Sequence, residues 1–340
     1  MKKLNLWNKI VFTINSLVAF LLLISYLLPY VPPKSFATIS ALSLSVPVLI
    51  ILNILFFIYW LMRVKKQLLL SLLVLVLGWN HVTSLYKFSS SLNKKDKDNI
   101  SIMSFNVRLF NHYNWIPDKS VREDIIVFFE SESPEVICLQ EYTRGLPIKL
   151  EGYNHFNARY MKNVRGGMAM FSKYPIINGG SLDFPDSYNN GLFMDIVKGK
   201  DTIRVYNVHL QSSGINTDVE ALKNEPSDGL FSQIKNVFQK QQEQAELINQ
   251  HRSETSYKTI LAGDFNNTAH SYVYNEIKGD LLDTFEEVGN GFGRTFDFKF
   301  FPFRIDFILV DKAFKVNGFK NYNKKLSDHY PIKATVKLNQ

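Results

Sequence analysis

The stretch 325–338, KLSDHYPIKATVKL, ends as a strand: Ile332, Ala334, Val336 and Leu338 alternate with polar residues, the period of a half-buried β-strand. Just ahead of it stand Ser327, Asp328 and His329. Neighbouring side chains on an extended backbone point to opposite sides, so Asp328 and His329 cannot both enter a core. Pro331 stiffens the entry, because its ring fixes its own φ and restricts Tyr330 before it. Taken alone, this is a polar turn before a last strand. Similar strand ends upstream give it another meaning.

The run 100–107, ISIMSFNV, alternates like a strand and reaches Asn106. EVICLQE, at 135–141, is a continuous apolar run of the kind covered on both faces, and it closes on Gln140 and Glu141. Residues 192–211 read as a hairpin turning at Lys198, Gly199, Lys200 and Asp201, with Asn207 and His209 late in its second strand. YKTILAGDFN (257–266) ends on Asp264 and Asn266, and FRIDFILVDK (303–312) carries Asp306 near its start. Between them, 120–131 reads as an amphipathic helix after Asp118. A longer helix at 229–251 carries Phe231, Ile234, Phe238, Gln241, Ala245 and Ile248 on one stripe. Strands mixed with helices predict an α/β domain over residues 100–340. The one cysteine, Cys138, excludes an intramolecular disulfide and reads as a buried strand thiol.

The first 90 residues are of another kind. They contain no Asp or Glu and eight Lys or Arg, so the formal charge of +8 belongs wholly to them. The remainder is formally neutral, which excludes polyanion binding driven by a global field. Three charge-free stretches, 10–33, 35–62 and 67–86, each reach the roughly 20 residues that cross a bilayer core. Aromatic residues stand near their ends, including Trp7, Tyr30, Trp60 and Tyr86. We expect a membrane anchor over 1–90, with transmembrane helices at about 10–30, 38–62 and 67–86, then a solvated linker at 91–99 containing NKKDKD. Lys2, Lys3 and Lys9 precede the first span, Arg63, Lys65 and Lys66 follow the second, and Lys34 alone marks the turn between them. The positive-inside rule then puts the N-terminus in the cytoplasm and, after three crossings, the folded domain on the outer side. The near absence of ionisable residues in the spans argues against a transport path.

Carboxylates, carboxamides and imidazoles gathered at strand ends suit phosphoester chemistry, and hard oxygen donors suit Mg²⁺ or Mn²⁺. In order, SFNVR, LQE, YNVHL, GDFN, RIDFIL and SDHYPI resemble the endonuclease/exonuclease/phosphatase superfamily (DNase I-like). The resemblance implies a four-layered αββα sandwich and a divalent-metal-dependent phosphoesterase acting on a phosphodiester, either nucleic acid or phospholipid. It also implies Glu141 as principal metal ligand, with Asn106 and Asp328 beside it. Asp264 would handle the attacking water, Asn266 would hold phosphate, and His329 would be the essential histidine, oriented by Asp306. His209 would be a second histidine, with Asn207 in the same motif; apart from the resemblance, we expect Asn207 and Arg108 at the substrate phosphate. Arg108 stands where abasic-site endonucleases commonly carry an acidic residue, which favours other branches. The rival reading is a catalytically inactive membrane-anchored scaffold of the same fold. It would be expected to lack one of Glu141, Asp264 or His329, and all three are present.

Overall fold

One apolar layer between two sheets sets the position of everything else. The computed structural model describes residues 4–88, 96–143, 147–157, 167–214, 227–298 and 301–339. Residues 91–95 of the expected linker lie outside them. The helices are α1 (Leu6–Ser25), α2 (Pro33–Ala41), α3 (Val46–Met62), α4 (Leu68–Leu77), α5 (Trp79–Leu85), α6 (Val121–Glu132), α7 (Ser227–Ser253), α8 (Tyr272–Lys278) and α9 (Thr284–Val288). The strands are β1 (Lys87–Phe88), β2 (Ile100–Asn106), β3 (Val136–Tyr142), β4 (Asn154–Asn157), β5 (Gly167–Ser172), β6 (Ile176–Ser181) and β7 (Gly191–Lys198). They continue with β8 (Asp201–His209), β9 (Lys258–Asp264), β10 (Leu282–Asp283), β11 (Asn290–Gly291), β12 (Asp306–Val310), β13 (Phe314–Asn321) and β14 (Ile332–Leu338).

Two six-stranded sheets form, in the orders β13-β14-β2-β3-β5-β4 and β10-β12-β9-β8-β7-β6. Their facing sides bury Ile100 and Ile102 of β2, Val205 of β8, Ile260 and Ala262 of β9, Ile308 of β12, and Ile332, Ala334 and Val336 of β14. The opposite faces pack on helices. Met103 and Phe105 meet Ile125, Phe128 and Phe129 of α6, while Tyr206, Leu261 and Phe307 meet Ala245 and Ile248 of α7 and Tyr274 of α8. This is the expected αββα sandwich. The β14 alternation locks its register, since a one-residue slip would drive Lys333, Thr335 and Lys337 into the layer between the sheets. Cys138 is fully buried there, and burial pushes its thiol well above the usual range.

The stripe on α7 starts later than its sequence suggests. Phe238, Gln241, Ala245 and Ile248 are buried, but Phe231 is exposed. The hairpin of β7 and β8 turns where expected, over Gly199 and Lys200, with Gly199 at φ +62°.

At the N-terminus, Leu6–Tyr30 and Pro33–Met62 are long and apolar enough to cross a membrane. The third stretch is not one straight helix: α4 and α5 meet at Gly78 with an 81° bend, so three spans result only if the pair counts as one. At about 1.5 Å per residue, ten-residue α4 alone covers about 15 Å, half of a bilayer core. Gly78 lets the bend form against the Tyr26 ring, where a Cβ would come within 2.0 Å of the ring carbon Cζ. Buried amides tie the bundle together. Asn15 donates to Ser71 Oγ (2.8 Å) and accepts from Trp60 Nε1 (2.9 Å), and Tyr59 donates to Asn8 (2.8 Å). Hydrogen bonds of this kind replace the hydrophobic force that lipid does not supply.

Candidate active site

Along β2, β8, β9 and β12 the residues facing the other sheet are apolar in mid-strand and polar at one end. The polar ends are Asn106, Asn207 with His209, Asp264, and Asp306. Strand pairing sets three of them in a row: His209 lies opposite Asp264 in the parallel β8–β9 pair, and Asp306 lies opposite Asp264 in the antiparallel β9–β12 pair. Adjacent strands lie about 4.8 Å apart, so the three side chains rise side by side from one sheet edge.

Glu141 arrives by a different device. Gln140 pairs with Met168 and Tyr142 with Gly167, which leaves Glu141 as the extra residue of a bulge at φ +49°. Without the bulge, alternation would send Glu141 toward the helix side with Ile137 and Leu139. With it, Tyr142 takes that side and Glu141 turns to Asn106. Strained backbone of this sort is tolerated where the surroundings over-determine it, often at functional sites. A second left-handed stretch, Arg108 to Asn111 at φ between +41° and +59°, follows Asn106. Each such residue costs about 1–2 kcal/mol. The Asn111 side chain offsets part of this by donating to the Ile116 and Asp118 carbonyls and accepting from Ile116 N–H.

The polar contacts converge on Asp264, which is fully buried. Asn106 Nδ2 donates both to Glu141 Oε1 and to Asp264 Oδ2, each at 3.1 Å. Asp264 Oδ2 also faces His209 Nε2 and His329 Nε2, each at 3.6 Å. Asp264 Oδ1 accepts from Asn266 N–H at 2.8 Å. His329 Nδ1 is 2.9 Å from Asp306 Oδ2, and Thr295 Oγ1 accepts from the Ile305 and Asp306 N–H groups at 2.9 and 3.0 Å. Ser327 Oγ accepts from His329 N–H at 3.2 Å. Phe296 forms a β-bridge with His329, its ring 5.0 Å away.

Burial works against a charged His329, but Asp306 and Asp264 outweigh it and push the imidazole up to about 10. His329 is therefore a cation at neutral pH. Burial holds His209 below its usual value, against the pull of Asp264. Burial, together with Asp306, raises Asp264, while His329 pulls it back. Burial also raises Glu141 against its hydrogen bond from Asn106. A neutral and a cationic imidazole thus flank one buried carboxylate.

The structure brings together Asn106, Glu141, His209, Asp264, Asn266, Asp306 and His329. Asp328 and His329 do point apart. His329 turns inward, while Asp328 stands at the rim, 3.2 Å from Arg108 Nε. Arg108, expected at substrate phosphate, is thus paired with a carboxylate and stacked over Trp115 at 4.3 Å. Asn207 corrects the sequence reading. It is fully buried, accepts from Gln140 Nε2 (2.7 Å) and donates to the Leu139 and Ala169 carbonyls (2.9 and 3.2 Å), so it ties the two sheets and presents nothing to a substrate. Asn266 Nδ2 donates to the Leu210 carbonyl at 2.9 Å, which leaves its second amide hydrogen for another acceptor. Thr295 and Ser327, which position the dyad, carry no signal in the sequence, since one hydroxyl in a loop looks like any other.

A divalent metal fits this donor set. Asp264, Asp306 and His329 bring potential ligand atoms within 4.8 Å of one another, and with the His329 imidazole protonated the carboxylate oxygens are the donors left to an ion. Asp306 Oδ1 is buried without a hydrogen-bond partner, an arrangement that costs free energy unless something binds there. Glu141 adds a further oxygen through their shared Asn106 amide.

Residues 103–329 match the family model described as the endonuclease/exonuclease/phosphatase family. Residues 8–85 match a model described as a domain of unknown function (DUF8431). No curated protein sequence matches the chain. Among solved structures, the endonuclease/exonuclease/phosphatase from Bacteroides vulgatus aligns at 20% identity and TM-score 0.54, covering 72% of this chain and all of that one. Danio rerio TDP2 complexed with a single-strand DNA product aligns at 17% identity and TM-score 0.54, covering 71% and 100%. A mannosyl-6-phosphatase from Bacteroides thetaiotaomicron aligns at 20% identity and TM-score 0.51, covering 70% and 99%. At these identities the likeness speaks for the fold.

Proposed function

The chain belongs to the endonuclease/exonuclease/phosphatase family, and we propose that it is a membrane-anchored hydrolase that cleaves a phosphodiester with Mg²⁺ or Mn²⁺. One observation carries this reading: the Asp306–His329 dyad and Asp264 meet in one buried cluster with the metal-fitting Glu141–Asn106 pair beside it. A scaffold would have no use for a cationic imidazole held against two buried carboxylates, because burying unneeded charge costs stability.

Each residue then has a role. Glu141, with Asn106 and with Asp264 and Asp328 near it, would hold the metal ion. The ion would supply Lewis-acid stabilisation of the phosphoryl oxygens. Asp264 is placed to orient the attacking water and take its proton. His329, held protonated by Asp306, stabilises negative charge on the phosphoryl group as it develops. His209, kept neutral, donates or accepts one hydrogen bond, and the free amide hydrogen of Asn266 is available to a phosphate oxygen.

The substrate is a phosphodiester at a membrane, and the aromatic segment beside the site favours a phospholipid over nucleic acid. Phe296 touches His329, while Phe301 of the same segment packs on the anchor bundle. The formally neutral domain also lacks the positive field that a nucleic-acid substrate draws on. The test uses the full chain in lipid nanodiscs with bis-p-nitrophenyl phosphate, phospholipids and DNA, in Mg²⁺ or Mn²⁺ and in EDTA. We expect metal-dependent hydrolysis that EDTA abolishes and His329→Ala lowers by about 10²–10⁴-fold. Hydrolysis untouched by EDTA and by His329→Ala would refute the assignment, and DNA as the preferred substrate would overturn the lipid reading.

We further infer that the domain lies on the outer side. Lys34 meets Glu246 of the domain at 2.5 Å, whereas Arg63 stacks on Tyr59 at the opposite end of the bundle, where Asn8 also lies. The basic end is therefore the one away from the domain, and the positive-inside rule makes it cytoplasmic. A C-terminal reporter active only outside the cytoplasm should be active; a silent one would reverse the orientation.

A further inference from the structure

The anchor is bonded to the segment that carries the catalytic dyad, and two independent ties run there. In the first, β1, directly after α5, pairs with β11, placing Lys87 opposite Gly291 and Phe88 opposite Asn290. In the second, Ser84 of α5 donates through Oγ to Glu286 Oε1 at 2.5 Å, and its carbonyl accepts from Arg304 Nη2 at 3.3 Å. Arg304 is almost fully buried. Its Nη1 donates to Asp283 Oδ2 at 2.6 Å, and its guanidinium lies 4.5 and 4.7 Å from the Phe285 and Phe307 rings. Tyr274 and Lys278 complete the network by donating to Asp283 and Glu286.

Two residues beyond Arg304 stands Asp306. The backbone from Phe303 to Ile305 is clasped on both sides. Thr295 and Phe296 donate to the Phe303 carbonyl at 2.9 and 3.2 Å, Phe265 donates to the Ile305 carbonyl at 2.8 Å, and Tyr330 donates to the Thr295 carbonyl at 2.7 Å. A shift of Arg304 therefore reaches Asp306, Thr295 and the residue after His329 together. We propose that Arg304 is a positioning residue for the Asp306–His329 dyad, and that Ser84 of the anchor completes its seat. Catalytic geometry then depends on the anchor being docked. This rests on the phosphoesterase reading above and adds to it a role for the membrane segment.

The test uses the full chain in nanodiscs with soluble bis-p-nitrophenyl phosphate, so that membrane access of substrate plays no part. Arg304→Gln should lower kcat about 10- to 100-fold with KM within about twofold, the signature of a misplaced rather than an unbound substrate. Arg304→Lys should recover part of the loss, and Ser84→Ala should lower kcat in the same direction by a smaller factor. Lys34→Ala, which cuts an anchor contact on the α7 side, should leave kcat unchanged. The second readout needs no substrate: the low-field proton resonance of His329 Nδ1–H, assigned with His329→Asn, should shift or broaden in Arg304→Gln. Should Arg304→Gln fail to fold because Asp283 is left unpaired, Asp283→Asn/Arg304→Gln removes both charges, and it and Ser84→Ala decide. An unchanged resonance and an unchanged kcat in folded variants would overturn the proposal. If the unaltered protein hydrolyses nothing, the phosphoesterase reading fails, and the resonance alone decides this one.

Discussion

Asp264→Asn should remove about 10³–10⁴-fold of turnover with little loss of stability, the combined scale of a lost general base and a lost electrostatic partner. Asp264 is the junction of the site, taking the Asn106 amide and facing both imidazoles through Oδ2 while accepting Asn266 N–H through Oδ1. Asparagine keeps the volume and can still accept from Asn266, but its amide nitrogen cannot accept from Asn106 Nδ2, and it cannot take a proton from water or balance His329. Stability behaves differently because the folded state raises the proton affinity of Asp264 above its ordinary value. A group shifted upward destabilises the fold once pH exceeds its unfolded value, so near pH 7 the neutral amide removes an unfavourable charge. Loss of the partner charge on His329 works the other way, and we expect a Tm close to that of the unaltered protein. The check is kcat and Tm on the same preparations. Turnover retained within about tenfold would remove Asp264 from the chemistry.

Gly263→Ala should be the most damaging single methyl in the domain. Gly263 sits at φ +147°, and a Cβ there would lie 1.9 Å from the Val208 carbonyl oxygen and 2.7 Å from its nitrogen. Both obstacles are backbone of the adjacent β8, so no rotamer change relieves them. The strands would have to part between His209 and Asp264, which face each other in register one residue further on. We expect a loss of about 4 kcal/mol or more, a large share of a typical domain's stability of about 5–15 kcal/mol. Activity would vanish in any fraction that folds. Gly199→Ala is the control: it also has positive φ, at +62°, but open space around it, so the cost should be about 1 kcal/mol. Thermal melting of the three proteins side by side checks this. Equal Tm values for Gly263→Ala and Gly199→Ala would mean that the close approach of β8 and β9 does not constrain the site.

Most residues of the candidate site were legible because each stands at one end of a strand that is otherwise largely apolar on the same face. Asn106, His209, Asp264 and Asp306 continue the alternation of Ile102, Val205, Ala262 and Ile308, so the pattern that buries the core also points them into the gap between the sheets. Asn207 misled for the same reason. It lies beside His209 in YNVHL, and nothing local distinguishes a side chain that reaches substrate from one that reaches the Leu139 and Ala169 carbonyls of the opposite sheet. Arg108 and Asp328 were each assigned to a ligand, and the fold pairs them with one another, a contact across 220 residues that periodicity cannot show.

By itself, the sequence determined that an apolar, acid-free N-terminal part precedes an α/β domain, which faces of the strands are buried, and which residue types stand at their ends. These follow from local chemistry: charge-free runs partition into lipid, and two-residue alternation assigns each side chain to a face. Only the tertiary structure decided how the ends combine. Glu141 joins Asn106 because one bulged residue in β3 reverses its direction. Asp264 lies between His209 and Asp306 because β8, β9 and β12 pair in that register, and His329 reaches it from the chain leading into β14 of the other sheet. The third apolar stretch is bent by 81°, with its second half seated on the domain through Ser84, Glu286 and Arg304. Each depends on a strand partner or a packed neighbour far away in the chain, and the free energy that selects it arises only when distant segments meet.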